Sequence, residues 1–443
     1  MAEPDVTSVL SWRRPLLQRF PSFESDDFCR IFVNGFFTTG SRWTEVLARG
    51  WLVHELSDGS TSAVGWVTFA SFIPFVIVGP MAGAIADRFD RRRLLIAGTV
   101  FGLLGALVLA AITLTDVVEV WHVIALAFAT GSAQAATVPT RQALIANVVP
   151  QEHLLNAVAL GGISRHGSRV VGPLFAAGLL RQLGAGSVFL FSAALLSAGL
   201  FAATRIRYRS VVRAEDLDGS AIESLRSLVG DLGRAARYVR RDRRLVIVIG
   251  LVAAHCSFTM AFDSMMPTMA EIVGGGSTLY SSILVGLGSG AIVGTLIVSQ
   301  LHADRTRGAA FAAVGIGSGI AMVIMGTATT GLFVVIGAVL AGFTQAAYMT
   351  MSATLVQTIV TDDFRGRVMS VYIMIAAGHM AILNLGYGRV AEVIDVRILL
   401  VVPGLLWIAI FALGYLGLSG VRSLVHRGRF ESMEPLVAAS SAA

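Results

Sequence analysis

The chain has 443 residues, of which 55% are hydrophobic and only 14% are charged, and its mean hydropathy is +0.74. Soluble globular proteins carry about 25% charged residues, so this composition excludes a soluble enzyme and a disordered protein. Two cysteines are too few for a secreted disulfide scaffold. The sequence predicts an all-α polytopic membrane protein.

Apolar segments long enough to cross a bilayer, which takes about 20 helical residues, recur along the chain. The sequence predicts twelve of them, six in a first bundle (28–205) and six in a second bundle (245–420). The spans are placed at 30–55, 63–86, 93–114, 120–145, 153–180, 186–205, 245–270, 280–301, 309–328, 331–358, 366–391 and 397–419.

The segments outside the spans are polar. Residues 1–27 lack the apolar core of a signal peptide, so they are expected to form a cytosolic tail, as are residues 421–443. The linker 206–244 is rich in arginine, and its apolar residues recur at helical spacing between residues 220 and 241. That pattern predicts an amphipathic helix on the inner membrane surface.

The distribution of arginine predicts the orientation in the membrane. With the N-terminus inside, 26 of the 34 basic residues lie on the cytoplasmic side and two lie outside. The positive-inside rule therefore places both termini in the cytoplasm. Every basic residue is arginine, which suggests GC-rich coding and hence a bacterial cytoplasmic (inner) membrane. Because the membrane explains the positive charge, no nucleic acid is expected as a partner.

A short segment between spans 2 and 3 combines small, acidic and basic residues. Gly83 allows a neighbouring helix to pack closely, and Asp87 can accept from free N–H groups at a helix start. The candidate cytoplasmic gate consists of Gly83, Asp87, Arg88, Arg91 and Arg92, with Asp304 and Arg305 at the matching place in the second half. The alternative is a topology signal alone, for which Gly83 and Asp87 are not needed.

The stretch from Gly83 to Arg93 looks like the G-x-x-x-D-R-x-G-R-R/K loop of the major facilitator superfamily, with Asp90 in place of the second glycine. The chain resembles that superfamily over nearly its whole length, and its halves repeat, since Gly131 and Gln134 in span 4 match Gly342 and Gln345 in span 10. The resemblance implies a twelve-helix fold of two pseudo-symmetric six-helix bundles, transport by alternating access, and a gate that opens in the inward-facing state.

Further segments resemble one branch of the superfamily, which holds enterobactin-type siderophore exporters and proton-driven drug exporters. They are 139–141, 149–152 and 365–370. Gly172-Pro173 in span 5 resembles the antiporter motif of exporters. The arginine that many drug antiporters carry in span 4 is absent, because Ala127 occupies its place.

Charged and polar residues inside the spans form narrow stripes, and ionisable groups at this depth are functional by default because they are costly to bury. The predicted substrate cavity is lined by Asn34, Thr38, Arg42, Arg49, Gln134, Thr137, Arg141, Arg165 and Arg169 in the first half and by His255, Gln345, Tyr348 and His379 in the second. The alternative for His255 and His379 is a packed, hydrogen-bonded side chain.

Two acids inside the spans compete for the role of proton carrier, Glu45 and Asp263. Glu45 lies one helical turn from Arg42 and from Arg49, so it is expected to stay ionised as a counter-ion or gate, and a structural ion pair is the alternative. Asp263 has no arginine in its own span, so it is the expected carrier. If an arginine of span 1 or span 5 reaches it across the halves, Asp263 is instead a gate.

These observations predict a secondary active exporter of an amphipathic, anionic small molecule of siderophore, drug or metabolite type, by proton antiport. The alternatives are a lysophospholipid or lipid facilitator and, in another class, a non-transporting membrane scaffold or sensor. The sequence carries no Walker phosphate loop, metal-ligand spacing or nucleophile triad. We therefore expect no enzyme activity, no cofactor besides the proton gradient, and a monomer whose partners are its substrate, protons and the lipid bilayer.

Overall fold

The computed structural model describes residues 20–81, 89–208, 221–301 and 303–428. The first bundle contains α1 (Asp26–Leu56), α2 (Thr61–Ile77), α3 (Arg91–Leu114), α4 (Val120–Val148) and a long element, Leu154–Thr204, that turns at Gly184. The parts of that element before and after Gly184, where φ is 76°, are α5 and α6.

The second bundle begins with α7a (Arg243–His255) and α7b (Met266–Ile272). It continues with α8 (Gly276–Ser299), α9 (Asp304–Thr327), α10 (Gly331–Ile359), α11 (Asp362–Val390) and α12 (Val396–Gly417). A linker helix (Ala221–Arg241) joins the bundles, and α13 (Ser419–Arg427) follows α12. The end of the molecule that holds the start of α1 and the linker helix is called the arginine-rich end, and the end that holds the α1–α2 turn is called the opposite end.

Within the described residues, ten helices are long and apolar enough to cross a membrane. One of them, Asn156–Thr204, contains both α5 and α6. The 31-residue helix α1 is not among the ten, because charged and polar residues interrupt its apolar sequence. Each predicted span thus corresponds to a helix or, for the seventh, to two helices joined at a break, and the predicted all-α membrane fold is confirmed.

The seventh span is broken at its middle, although its apolar sequence predicts one continuous helix. A π-helical turn, Cys256–Met260, follows α7a, the helical backbone is interrupted at Ala261, and a 3-10 turn, Asp263–Met265, leads into α7b. In a membrane, the backbone groups that such a break frees need partners inside the protein. The side-chain amide of Gln345 donates to the Thr259 carbonyl at 2.5 Å.

Close packing of α1 on α5 shapes the first bundle. A Cβ atom at Gly172 would overlap the carbonyl oxygen of Gly40 and contact the Thr44 hydroxyl. Glycine at this position therefore lets the two helices approach more closely than any other residue would. Pro173 lies next to it inside α5. The two halves meet where α2 packs on α11 and α5 packs on α8.

Asp27 joins the start of α1 to the segment after α6. Its carboxylate accepts hydrogen bonds from the backbone N–H groups of Arg207 and Tyr208, both at 2.8 Å, and pairs with Arg30 at 2.7 Å. Burial on its own would raise the pKa of Asp27, but these hydrogen bonds lower it below its usual value. A negative charge at the first turn of α1 also suits the helix dipole.

The linker helix lies where the sequence predicts an amphipathic helix (220–241), and its side chains pack on the second bundle. The ring of Tyr238 stacks on Phe364 of α11 with 4.6 Å between ring centroids. Asp231 forms an ion pair with Arg367 of α11 at 3.2 Å. The apolar face of the linker helix, including Ala235 and Val239, is buried in the core of the second bundle.

Candidate functional site

A cavity of about 400 Å³ lies between the two halves. Most of its wall comes from the first bundle, and the second contributes Met260, Phe262, Asp263, Gln345 and Met380. The predicted cavity residues that line it are Thr38, Arg42, Gln134, Thr137, Arg141, Arg165, Arg169 and Gln345, together with both candidate acids. The cavity reaches toward the arginine-rich end, where Phe28, Ile31 and Phe32 complete its lining.

Glu45 is locked in a buried polar network of the first bundle. Its carboxylate pairs with Arg49 at 2.6 Å and accepts a hydrogen bond from the Ser192 hydroxyl of α6 at 2.8 Å. Arg49 also donates to the Thr130 hydroxyl of α4 at 3.1 Å. Both charged side chains are more than nine-tenths buried, so this pair fastens α1 to α4 and α6.

Asp263 lies in the cavity wall at the break in the seventh span. Among the described residues, no arginine nitrogen comes within ion-pair distance of its carboxylate, but Arg42 and Arg169 are near enough to attract it electrostatically. The guanidinium of Arg169 rests 4.2 Å above the ring of Trp43, and that of Arg42 lies 5.1 Å from the ring of Phe75. The aromatic rings hold the two arginines, so Asp263 faces positive charge without a fixed partner.

Arg141 and Arg165 form a second positive region, nearer to the arginine-rich end. Arg141 donates to the Thr38 hydroxyl at 2.8 Å, and its charge is close enough to repel that of Arg165. Ser164 is also part of the wall, and its buried hydroxyl has no hydrogen-bond partner among the described residues. The aromatic residues Trp43, Phe72, Phe75 and Phe262 were not predicted as cavity residues, since aromatic side chains in a membrane span are usually read as packing.

The structure places five predicted cavity residues outside the wall of this cavity, as corrections to the sequence prediction. One is Arg49, which is held in the network of Glu45. Asn34 points into the bundle, where its amide donates to the Gly199 carbonyl at 3.0 Å. His255 and Tyr348 are fully buried and stack on each other at 4.1 Å inside the second bundle. His379 bonds to the Ile375 carbonyl of its own helix at 2.7 Å, and its neighbour Met380 faces the cavity.

The physical reasons are different for His255 and for His379. The π-helical turn at Cys256–Met260 adds a residue to the turn, so His255 no longer shares a face with Asp263, as a straight helix would require. On α11, one residue changes the direction of a side chain by about 100°. Asn384 was not predicted, although it accepts a hydrogen bond from the Ser264 N–H at 3.0 Å and so supports the break beside Asp263.

At the opposite end, the two halves are in direct contact. The indole of Trp51 on α1 stacks on Tyr280 of α8 at 6.2 Å, and the hydroxyl of Thr61 on α2 donates to the Gly388 carbonyl of α11 at 2.6 Å. Ser60 donates to Glu392 at 2.7 Å, and His54 Nε2 lies 2.8 Å from a carboxylate oxygen of Glu271. These contacts close the cavity at this end.

The predicted gate at the arginine-rich end is described only in part. Gly83, Asp87 and Arg88 lie outside the described residues, as does the side chain of Asp304. Arg91 begins α3, and Arg92 donates to the Thr204 carbonyl at the end of α6 at 2.7 Å, within its own half. Arg305 is exposed at the start of α9.

Comparison with known proteins agrees with this architecture. The chain is 22% identical to macrolide efflux protein A of Streptococcus pyogenes over 316 residues, which cover 70% of this chain and 76% of that protein. It is also 22% identical to macrolide efflux protein A of Enterococcus faecalis over 309 residues, which cover 69% of this chain and 93% of that protein.

Solved structures share the fold at low sequence identity. A peptide-transporter (POT) family protein in complex with a thioalcohol-conjugated peptide superposes with a TM-score of 0.70 at 12% identity, covering 88% of this chain and 96% of that one. The human organic anion transporter MFSD10 gives a TM-score of 0.64 at 13% identity, covering 87% and 97%. The sequence profile described as transmembrane secretion effector matches residues 18–440. The chain is therefore a multi-pass membrane transporter, not an enzyme, and belongs to the transmembrane secretion effector family of the major facilitator superfamily.

Proposed function

We propose that this efflux transporter exports an amphipathic, anionic small molecule by alternating access in exchange for protons. The observation that carries the proposal is the cavity between the halves, whose wall combines four arginines and one unpaired carboxyl with aromatic rings. Arginine guanidinium groups bind carboxylates and phosphates in a bidentate manner. Aromatic rings offer an apolar surface to the rest of an amphipathic molecule.

The charges of the wall support an anionic substrate. Arg49 is neutralised by Glu45, so Asp263 is the one acid left opposite Arg42, Arg141, Arg165 and Arg169 within the described lining. A cavity with this excess of positive charge attracts anions and repels cations.

Asp263 is the proposed proton carrier, and Glu45 is the proposed structural partner. Asp263 faces the cavity without an ion pair inside 4 Å in the described part of the chain, so a proton can reach and leave it. Glu45 keeps an arginine and a hydroxyl as fixed partners. A carboxylate held in that way is suited to a structural role.

We further propose that the arginine-rich end faces the cytoplasm of a bacterium, with both termini inside. The positive-inside rule supports this orientation. The contacts of Trp51 with Tyr280 and of Thr61 with Gly388 then close the extracellular side. The described state corresponds to an inward-facing transporter that can take its substrate from the cytoplasm.

A second candidate is export of a macrolide-type cation. Two of the relatives are macrolide efflux proteins at 22% identity, and Asp263 with nearby aromatic rings offers a place for a cationic amine. Such a cation competes directly with the proton on Asp263, which also produces antiport.

Transport by purified protein in liposomes with an acidic lumen tests the proposal. An anionic probe, dansyl-leucine, should accumulate in the lumen as protons leave, and a protonophore should abolish its accumulation. A weak acid that crosses the membrane without the protein is excluded from an acidic lumen, so passive distribution cannot produce this accumulation. Accumulation of a macrolide beyond that in protein-free liposomes, without uptake of dansyl-leucine, would establish the second candidate instead. No gradient-driven uptake of either compound would overturn both.

A further inference from the structure

We infer that Arg141, Arg165 and Ser164 form a subsite that holds the acidic group of the exported molecule, separate from the proton-carrying Asp263. The inference rests on the proposed function and locates the anion inside the proposed cavity. Three observations carry it: the lack of an acidic partner for either arginine, the unused hydrogen-bonding capacity of the wall at this place, and the distance from Asp263.

Neither arginine has an acidic partner among the described residues. The acids of the described cavity wall are Glu45, which pairs with Arg49, and Asp263, which attracts Arg42 and Arg169. Arg141 and Arg165 instead repel each other. Two uncompensated positive charges side by side are costly in a membrane protein unless an anion joins them.

The wall at this place also has donors that nothing in the described chain uses. The Nε atom of Arg141 and the hydroxyl of Ser164 are buried without a hydrogen-bond partner. Thr38 fixes one terminal nitrogen of Arg141 at 2.8 Å, which leaves the other available. Gly35 lies under both groups, and a Cβ there would lie 3.4 Å from Arg141 and 3.7 Å from Ser164. The absence of a side chain at Gly35 keeps this corner of the cavity open.

The rings of Phe28 and Phe32 line the same end of the cavity, so an apolar body can continue from the acidic group. Buried polar groups left unpaired cost free energy, and an oxyanion with several acceptor sites satisfies them together. The chemistry points to the carboxylate, phosphate or sulfonate group of an amphipathic molecule.

The subsite lies one helical turn away from the arginines near Asp263, on both α5 and α1. Arg165 precedes Arg169 by four residues on α5, and Thr38 precedes Arg42 by four on α1, which is about 6 Å along each axis. A second, smaller cavity shares Asp263, Arg42 and Gln134 with the main one but not Arg141 or Arg165. The anion and the proton therefore occupy different levels of the cavity.

This separation matters for the direction of coupling. An anion bound directly beside Asp263 would favour the protonated carboxyl. By linkage, a proton on Asp263 would then also favour binding of the anion, so the two would be transported together in the same direction. An anion held one helical turn away, by arginines that Asp263 does not attract, avoids this coupling. The subsite thus allows exchange of an anion for protons in a cavity that contains a carboxyl.

The test compares two probes that differ in one charge, dansyl-leucine and its methyl ester, by calorimetric titration of the protein in nanodiscs. The wild-type protein should bind the carboxylate about tenfold more tightly than the ester, a difference of about 1.4 kcal/mol, because only the carboxylate can form charge-assisted contacts with the arginines. The Arg165 side chain is exposed and lines the cavity. Arg165→Gln and Arg141→Gln should each reduce that ratio of affinities, and the double variant should bring it to about one. Affinity for the ester should stay within about twofold.

Two further variants separate a subsite from a structural effect. Ser164→Ala should weaken carboxylate binding by about threefold without lowering the melting temperature, because its hydroxyl has no partner to lose. Arg181→Gln, an exposed arginine at the opposite end, should leave the ratio unchanged.

Equal affinity of the wild-type protein for the two probes, or no binding of dansyl-leucine at millimolar concentration, overturns the subsite. A preserved ratio in the double variant overturns it as well. The failure of the proposed function has a different signature: the ratio and its loss in the variants persist, but a pH gradient drives no uptake into liposomes.

Discussion

At the scale of single residues, two carboxyl groups in one cavity wall differ in their partners. Glu45 has an arginine at 2.6 Å and a hydroxyl at 2.8 Å, whereas Asp263 has only the longer-range attraction of Arg42 and Arg169. The fixed partners make Glu45 part of the scaffold. The absence of fixed partners, within the described residues, leaves Asp263 able to change its protonation state.

Replacement of Asp263 by asparagine keeps the size of the side chain and removes its titration. We expect Asp263→Asn to reduce pH-gradient-driven uptake into liposomes to the level of protein-free vesicles. Substrate binding and downhill exchange should remain measurable, because the arginines of the wall are unchanged. Asp395→Asn, at the exposed start of α12, is the control. Wild-type proton-driven uptake by Asp263→Asn would rule Asp263 out as the carrier.

Replacement of Glu45 by glutamine should act on stability instead. The change leaves Arg49 buried without its counter-ion, a situation that costs about 3–5 kcal/mol in other proteins. We expect a clear fall in the melting temperature in detergent and a loss of substrate binding, whereas Glu152→Gln at an exposed position should change neither. A Glu45→Gln protein with unchanged melting temperature and binding would contradict the structural role.

Helical periodicity was sufficient to predict part of the site. The stripes on α1, α4 and α5 predicted Thr38, Arg42, Gln134 and Arg165 in the wall, because these helices are regular where the stripes lie. The prediction failed for His255, because a π-helical turn follows it and changes the direction of later side chains. No residue pattern in the apolar stretch 256–263 signals that turn.

At the scale of secondary-structure elements, apolar length was enough to predict the helices, since the bilayer fixes how long each must be. It could not predict where a helix breaks, because the partners that allow the break at Asp263 come from distant helices. Gln345 on α10 and Asn384 on α11 satisfy the freed backbone groups on either side of it. The packing of the linker helix on α11 could not be predicted either, because the periodicity of a helix shows an apolar face but not which helix covers that face.

Packing of α1 against α5 depends on Gly172. We expect Gly172→Ala to force the two helices apart, since its Cβ would overlap the backbone of Gly40. Overpacking of this kind costs about 1–3 kcal/mol. Gly178 lies six residues further along α5, and no atom lies within 4 Å of the position that its Cβ would take, so Gly178→Ala is a matched control. Melting temperatures in detergent should fall for the first variant and not for the second, and equal values would contradict the role of Gly172.

At the scale of the whole molecule, the two halves touch at one end and surround a cavity that extends to the other. The proposed alternating access requires the contacts at the closed end to separate. At one of them the backbones of α2 and α11 approach closely, and a Cβ at Gly388 would overlap the Thr61 carbonyl. A side chain at this position should therefore favour the open form of that end.

We expect Gly388→Val to expose the cavity to the opposite end and to slow transport. The measurement is the rate at which a membrane-impermeant maleimide, added on the outer side, labels Ala133→Cys in the cavity wall after Cys29 and Cys256 have been replaced. The rate should rise at least about fivefold, in line with a population shift toward the open form. Gly386→Val, which meets no atom within 4 Å, should not change it. Equal labelling in the two variants would show that Gly388 does not control closure.

The contacts at the closed end also determine how the transporter responds to its surroundings. A backbone carbonyl, stacked aromatic rings and closely packed glycines hold this end. Among the described residues, charged groups take part through Glu392, through the pair of His54 with Glu271, and through Arg389, whose guanidinium lies 5.5 Å from the ring of Trp66. Dissolved ions largely screen interactions between exposed charges that are more than about 8–10 Å apart at physiological salt, but they hardly affect packing or buried hydrogen bonds. The balance between the two access states should thus stay nearly constant when the salinity outside the cell changes, so the exporter can keep working in both dilute and salty media.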